Sequence, residues 1–226
     1  MANEPSPERK KRLITIWDLP TRLFHWLFAA AIAAAILSAE NDALEIHAIC
    51  GYAVLGLVLF RVLWGFVGST PSRFSAFVRG PRAVVDYGLR LFSRSYEFHA
   101  THNPLGGWVV VAMLGAAFVQ ATMGLFATDD VLFEGPLGHL ISTSVQNAIT
   151  EAHHFLGHVI LYLIVLHIGA VLFYRIVKGT NLVIPMITGR TAVPGKTPLP
   201  VVRQSSTWFA AAIAVAAAYV VYALIS

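Results

Sequence analysis

Four histidines lie within one apolar run, EAHHFLGHVILYLIVLH (residues 151–167). An α-helix turns by about 100° per residue, so His153 and His167, fourteen positions apart, differ by only about 40° in direction and by about 21 Å along the axis. His158 lies nine positions before His167 and points to the opposite side, and His154 also lies off the shared face. Imidazole is a common metal ligand. Two of the four rings are therefore candidate ligands at two levels on one face of the helix.

The chain that carries these histidines has the composition of a membrane protein. Of its 226 residues, 57% are hydrophobic and 12% are charged, whereas a soluble domain carries about 25% charged residues. The mean hydropathy is +0.67. The single cysteine, Cys50, excludes an internal disulfide framework, a four-thiolate metal site and the C-x-x-C-H attachment motif.

Five apolar runs approach the ~20 residues that a membrane-spanning helix needs. They lie at 22–39, 46–67, 106–127, 153–177 and 208–225. The first run also resembles a secretory signal, but it is long for that role, and we expect it to be retained. Segments 68–105 and 179–200 contain Gly and Pro and are predicted to be connections, the first with a short amphipathic helix near 82–92 at the membrane surface.

The basic residues predict the orientation of the spans. Of the 16 Lys and Arg residues, 15 precede or open span one, lie between spans two and three, or lie between the last residues of span four and the start of span five. The other two loops, 40–45 and 128–152, carry seven of the twelve acidic residues and no Lys or Arg. The positive-inside rule then predicts a cytoplasmic N-terminus and a periplasmic C-terminus in a bacterial inner membrane. This clustering of charge beside spans argues against nucleic-acid binding.

The same charges assign a depth to each histidine of the spans. His25 follows Arg22 and His167 precedes Arg175, so both lie toward the basic side of the membrane. His47 follows Glu45 and His153 follows Glu151, so both lie toward the acidic side. We call His25 and His167 the basic-side pair, and His47 and His153 the acidic-side pair. Each pair joins span four to another helix.

Two imidazoles on facing helices suit an iron with two open axial positions, as in haem. A bare divalent ion prefers more ligands, often with a carboxylate or thiolate, and no Asp or Glu lies within a span. Gly51, Gly157 and Ala29 follow three of the candidates by one turn and would let a flat macrocycle approach. A single membrane histidine is as often a structural hydrogen-bonding residue. That interpretation is preferred for the remaining histidines, His99, His102, His139, His154 and His158.

Arg61 is the charged residue inside a span. It follows His47 by fourteen positions, so it shares the face of His47 but lies on the basic side. It could pair with a haem propionate, because charges within the membrane usually have a partner. It could instead extend to the nearby headgroups. Both interpretations are open from the sequence.

Four segments resemble the bacterial cytochrome b-561 proteins and the b-type cytochrome subunit of nickel–iron hydrogenases. They are WDLPTRLFHW (17–26), HAICGYAVLGLVLFRVLWGFVGS (47–69), HNPLGGW (102–108) and HHFLGHVILYLIVLHIGAVLFY (153–174). The resemblance covers roughly 12–190. It implies an all-α integral membrane fold, a four-helix bundle with two b-type haems, ligated by His25, His47, His153 and His167, and electron exchange between quinone and a partner redox protein.

The chain departs from these families in two places. The residue after the first ligand of helix four is often Glu in them and is His154 here, which leaves 153 and 154 as alternative ligands; the fourteen-residue spacing favours His153. The fifth C-terminal transmembrane helix extends beyond the four-helix core. We therefore predict a basic cytoplasmic tail (1–12), a dihaem domain (13–190) and a linker with an extra helix (191–226).

The sequence thus predicts an electron-relay protein embedded in lipid, with two haem b groups. Its expected partners are quinone or quinol and a periplasmic or membrane-attached cytochrome c, hydrogenase or other dehydrogenase. Whether it acts as an enzyme by itself is not decided by the residues. One alternative is a membrane oxidoreductase that acts on a small molecule, such as superoxide or ferric iron, with the haems as its electron-transfer path. Another is a haem-free, histidine-lined transporter, which would need acidic residues in the spans.

Overall fold

A computed structural model describes residues 12–91, 101–131, 133–193 and 202–226. Five of its helices are long and apolar enough to cross a membrane, which confirms the all-α membrane architecture. These five are α1 (Leu19–Glu40), α2 (Leu44–Val67), α5 (Pro104–Gly124), α6 (Thr143–Ile176) and α8 (Thr207–Ile225). Three shorter helices stand in the connections: α3 (Phe74–Phe77), α4 (Pro81–Arg90) and α7 (Val183–Thr188).

Helix α6 differs most from its predicted bounds. It begins at Thr143, ten residues before the predicted start at 153, and continues without interruption to Ile176. Its first turns are polar, so an apolar run could not reveal them. The predicted amphipathic helix near 82–92 corresponds to α4. The basic tail up to residue 11, together with Arg94, His99 and Lys196, lies outside the described residues.

The sequence WDLP starts α1 by a side-chain cap. Asp18 accepts a hydrogen bond from the Thr21 backbone N–H through Oδ1 at 2.9 Å, and Pro20 occupies the first turn, where its missing N–H costs nothing. Asp18 Oδ2 also accepts from Trp64 Nε1 at 3.1 Å. Trp64 is fully buried near the end of α2. The cap therefore fixes α1 to α2 on the basic side, seven residues before His25.

The spanning helices pack in a consecutive order. Helix α1 packs on α2, α2 on α5, and α5 on α6, while α8 packs on α2 and touches α1. Ala210 and Ala217 of α8 are buried, as expected for small residues at a helix contact in a membrane. The side chains of α6 are almost all at least partly exposed. Its His167 faces His25 of α1, and its His153 faces His47 of α2.

A two-stranded antiparallel ribbon joins the segment before α1 to the segment after α7. Strand β1 (Arg12–Thr15) pairs with β2 (Arg190–Val193), with Arg12 opposite Val193 and Thr15 opposite Arg190. The Ile16 N–H then donates to the carbonyl of Gly189 at 2.8 Å. The sequence did not predict this ribbon, because four-residue strands have too short a pattern to recognise. The predicted domain boundary at 190/191 falls inside β2.

Candidate functional site

The basic-side pair faces across the space between α1 and α6. The ring centroids of His25 and His167 are 6.4 Å apart and their planes differ by 50°. His25 lies near the start of α1, two turns after the Asp18 cap. His167 lies near the C-terminal end of α6. The structure therefore brings together the two residues that the sequence analysis paired by depth.

The acidic-side pair faces across the space between α2 and α6. The ring centroids of His47 and His153 are 6.0 Å apart and their planes differ by 83°. His47 lies in the first turn of α2. His154 is exposed and its ring is 6.3 Å from that of His153. The residue that α6 presents to His47 is therefore His153.

Both separations suit one metal ion held between two rings. Two metal–imidazole bonds of about 2.0–2.1 Å, each added to a ring radius of about 1.1 Å, place the centroids about 6.3 Å apart. A direct hydrogen bond needs ring nitrogens about 3 Å apart, and none joins the two described rings of either pair. Each pair thus leaves between its rings the distance that two bonds to one shared metal ion would span.

Hydrogen bonds to backbone carbonyls hold both rings of the acidic-side pair. Nδ1 of His47 lies 2.8 Å from the Ala35 carbonyl, and Nδ1 of His153 lies 3.0 Å from the Gln120 carbonyl. A carbonyl only accepts, so each Nδ1 donates as N–H. The neutral ring then keeps an unprotonated Nε2, which is the form that ligates a metal. His25 differs, because its Nδ1 is buried and has no hydrogen-bond partner among the described residues.

The connection after α6 positions the basic-side pair. Trp26, next to His25, donates from Nε1 to the Met186 carbonyl of α7 at 3.2 Å. Gly189 ends α7 with a φ of 77°, and a Cβ there would stand 2.6 Å from the Trp17 carbonyl oxygen. Only glycine meets both conditions without strain. The start of α1 is thereby fastened to the segment that follows His167.

Arg61 is buried on the basic side. Its residue exposure is 3%, and its guanidinium carbon lies 5.1 Å from the Phe74 ring centroid and 6.0 Å from that of Phe77. Nη1 is buried without a hydrogen-bond partner among the described residues. The guanidinium group does not extend to the exposed surface in this arrangement. This burial does not agree with extension to the headgroups, and pairing of Arg61 with a haem propionate stays a prediction.

His102 was assigned no functional role from the sequence, yet it lies beside this arginine. Its ring packs 4.8 Å from Phe77 and 5.1 Å from Trp17, measured between centroids. Burial, helped by the positive charge of Arg61, lowers the pKa of His102 to about 3, so the ring is neutral. The next residue, Asn103, caps α5 by accepting the Gly106 N–H at 2.8 Å. The segment HNPLGGW indicates the cap at Asn103 but not the burial of the ring before it.

The other described histidines lie away from both pairs. His158 is exposed, and its Nδ1 lies 2.9 Å from the His154 carbonyl one turn earlier on α6. His139 is exposed in the connection before α6. Within the described ranges, no three His, Cys, Asp or Glu side chains gather as ligands for a bare metal ion.

An apolar gap separates the two levels of histidines. It lies between α1, α5 and α6, at mid-depth. Its lining is Phe28, Ile32, Met113, Ala117, Ile160, Leu163 and Ile164. The three α6 residues stand between His153 and His167 along the helix. No polar group of this lining offers a path for water or ions between the levels.

Comparison with known protein families gives a match over the part of the chain that contains both histidine pairs. The family model of prokaryotic cytochrome b561 matches residues 16–189. The chain belongs to the prokaryotic cytochrome b561 family. No curated protein and no solved structure matches it. Proteins of this family are b-type membrane cytochromes that bind haem b. The paired imidazoles of this b561-family chain fit that group in their spacing and in the tautomer of the acidic-side pair.

Proposed function

We propose that this protein is a dihaem b-type cytochrome that relays electrons across the membrane. The main observation in support is that the imidazole ring centroids of the two pairs lie 6.4 and 6.0 Å apart. His153 and His167 of one continuous helix supply one ring to each level, about 21 Å apart along the axis. His25 and His47 supply the opposing rings. Two haems held at these two depths would give electrons a path from one side of the bilayer to the other.

Ligation from both sides favours relay over chemistry at the metal. Haem, when bound, supplies a one-electron Fe(III)/Fe(II) couple. With an imidazole of the chain on each side, a bound haem iron would have no free position for oxygen or a substrate. The chain's own residues hold the rings, set the basicity of the acidic-side pair through the carbonyls of Ala35 and Gln120, and keep the intervening layer apolar. The alternative in which a small molecule such as superoxide or ferric iron reacts has no comparable feature to support it.

The charges support a cationic protein partner on the acidic side. Glu40, Asp42, Glu45, Glu134 and Glu151 are exposed there, and no Lys or Arg accompanies them in loops 40–45 and 128–152. Complementary charge guides transient redox encounters. We therefore propose a periplasmic or membrane-attached cytochrome c or dehydrogenase as the protein partner, and quinone or quinol as the membrane partner. The basic side is then cytoplasmic by the positive-inside rule.

The proposed function is tested in sealed vesicles that contain the purified protein. Ascorbate is enclosed, ferricyanide is added outside, and bleaching of ferricyanide reports electrons that cross the membrane. We expect bleaching with the native chain and its loss in His25→Ala, since the basic-side site is then missing. The exposed His158→Ala serves as the matched control and should keep the native rate. A native protein that contains both haems yet transfers no electrons would refute the relay.

Exchange with quinone is measured separately. Adding a quinol to the oxidised protein in detergent should produce the reduced α-band within the mixing time of a stopped-flow experiment. An unchanged oxidised spectrum would remove quinone as the membrane partner and leave the relay itself intact.

A further inference from the structure

Arg61 and His102 converge on one aromatic ring from different parts of the chain. Arg61 belongs to α2 and His102 precedes α5. The Phe77 ring of α3 lies 4.8 Å from the His102 ring and 6.0 Å from the Arg61 guanidinium carbon. Three separate elements therefore build this corner of the basic side. A corner assembled in this way is a defined site rather than a surface contact.

Both side chains carry a buried nitrogen without a hydrogen-bond partner among the described residues. These two nitrogens are Arg61 Nη1 and His102 Nδ1. Buried polar groups are almost always paired, and a buried charge especially so. Two orphan nitrogens in one corner indicate that an acceptor from outside the chain belongs there.

The nearby carboxylate does not meet this need. Asp18 attracts Arg61 electrostatically, but its Oδ1 accepts from Thr21 and its Oδ2 from Trp64. No ion pair joins Asp18 to Arg61 within the described part of the chain. The carboxylate of Asp18 thus serves the cap of α1. It leaves Arg61 Nη1 without an acceptor.

The geometry points to a carboxylate as the missing acceptor. Arginine binds carboxylates through parallel N–H groups, and a neutral imidazole adds one further N–H donor. We propose that Arg61 and His102 form a carboxylate-binding site that holds a propionate of the haem at the basic-side pair. This inference rests on the proposed function. The His102 ring lies 5.1 Å from that of Trp17, just before the helix α1 that carries His25, so the corner is on the side of that pair.

Loss of the site should alter the redox equilibrium of one haem only. Arg61→Gln removes a positive charge and leaves the carboxylate uncompensated, which disfavours the extra electron. We expect at least a tenfold shift of the basic-side haem toward the oxidised form, which is about 59 mV for a one-electron couple. His102→Leu should shift the same haem in the same direction, and His102→Gln, which keeps an N–H donor, should shift it less. The exposed Arg82→Gln serves as the control.

Isotope labelling distinguishes a haem propionate from a free carboxylate. Growth on 5-aminolaevulinate with ¹³C at its carboxyl carbon labels the haem propionates and no protein carboxylate. Redox-induced infrared difference spectra of the purified holoprotein should then contain an isotope-shifted carboxylate band. That band should change in Arg61→Gln and His102→Leu and stay native in Arg82→Gln. A mutation-sensitive band without an isotope shift would assign the site to a free carboxylate and overturn the propionate assignment.

The outcomes separate this inference from the proposed function. Two haems with bis-imidazole spectra, together with native potentials and propionate bands in both Arg61→Gln and His102→Leu, would overturn the inference alone. A native protein without two such haems would overturn the proposed function. If Arg61→Gln fails to accumulate, the potentials of the two His102 variants decide. A larger shift in His102→Leu than in His102→Gln supports the inference, and native potentials in both overturn it.

Discussion

His153 and His167 lie on one uninterrupted helix, and each faces a histidine of a different neighbouring helix. Because α6 runs from Thr143 to Ile176 without a break, the fourteen residues between the two rings fix both their common direction and their separation. The positions of His25 and His47 are then matched to α6 separately, at the two ends of the bundle. This arrangement makes the two sites separable by mutation.

The ligand on the acidic side is tested by neighbouring substitutions in α6. His153→Ala should remove one haem, because it deletes the ring that faces His47 at 6.0 Å. His154→Ala should retain both, because its ring is exposed. The pyridine haemochrome assay on purified protein gives the haem-to-protein ratio. Retention of two haems in His153→Ala, with loss of one in His154→Ala, would show that the assignment within α6 is wrong.

The two haems should differ in midpoint potential. The Ala35 and Gln120 carbonyls accept from the acidic-side ligands, which makes those imidazoles more basic and stabilises the oxidised metal. The buried positive charge of Arg61 on the basic side stabilises the reduced state there. A spectroelectrochemical titration should therefore resolve two components, the basic-side one higher. The component absent from His25→Ala identifies that site, and the reverse order would contradict this electrostatic explanation.

Gly51 is expected to keep space open beside His47. It lies one turn further along α2, and a Cβ at this position meets no atom within 4 Å. Gly51→Leu should fill this space and lower retention of the acidic-side haem while the basic-side haem stays. Gly115→Leu is the control, because Gly115 of α5 also has open space around it but is exposed. Equal haem content in the two variants would show that the space near Gly51 is not used.

Gly189 should be needed to hold the basic-side pair. A residue with a side chain at this positive φ costs about 1–2 kcal/mol, and a Cβ would also meet the Trp17 carbonyl oxygen at 2.6 Å. Gly189→Ala should therefore lower the thermal midpoint in detergent and release the basic-side haem first. Gly179→Ala adds strain at a similar φ of 65° without any contact within 4 Å. Identical melting of the two variants would show that the contact with Trp17 contributes nothing.

The sequence was sufficient to predict the five spans and the pairing of histidines. Hydropathy, charge asymmetry and helix periodicity are local properties, and depth follows from them directly. The pairing of His25 with His167 and of His47 with His153 needed no knowledge of helix order, because depth and the fourteen-residue spacing favoured these partners, with His154 as the alternative to His153. Their role as haem ligands stays a prediction.

Other features could not be predicted because they depend on contacts between distant segments. The ribbon of β1 and β2 joins residues about 180 positions apart. The burial of His102 results from packing against Trp17 and Phe77, and its own neighbours in sequence indicate only a cap. The early start of α6 was missed because its first turns are polar. Hydropathy detects the apolar part of a helix that lies in the membrane, and it does not detect polar turns that extend beyond the membrane.

Haem stoichiometry in paired variants tests the central claim most directly. The purified native protein should contain two haems, and His25→Ala, His167→Ala and their double variant should each contain one with the same remaining potential. His47→Ala, His153→Ala and their double variant should each retain the other haem. Combining His25→Ala with His47→Ala should leave none. If His25→Ala and His167→Ala together lost both haems, or if each removed a different one, the two rings would not share one iron.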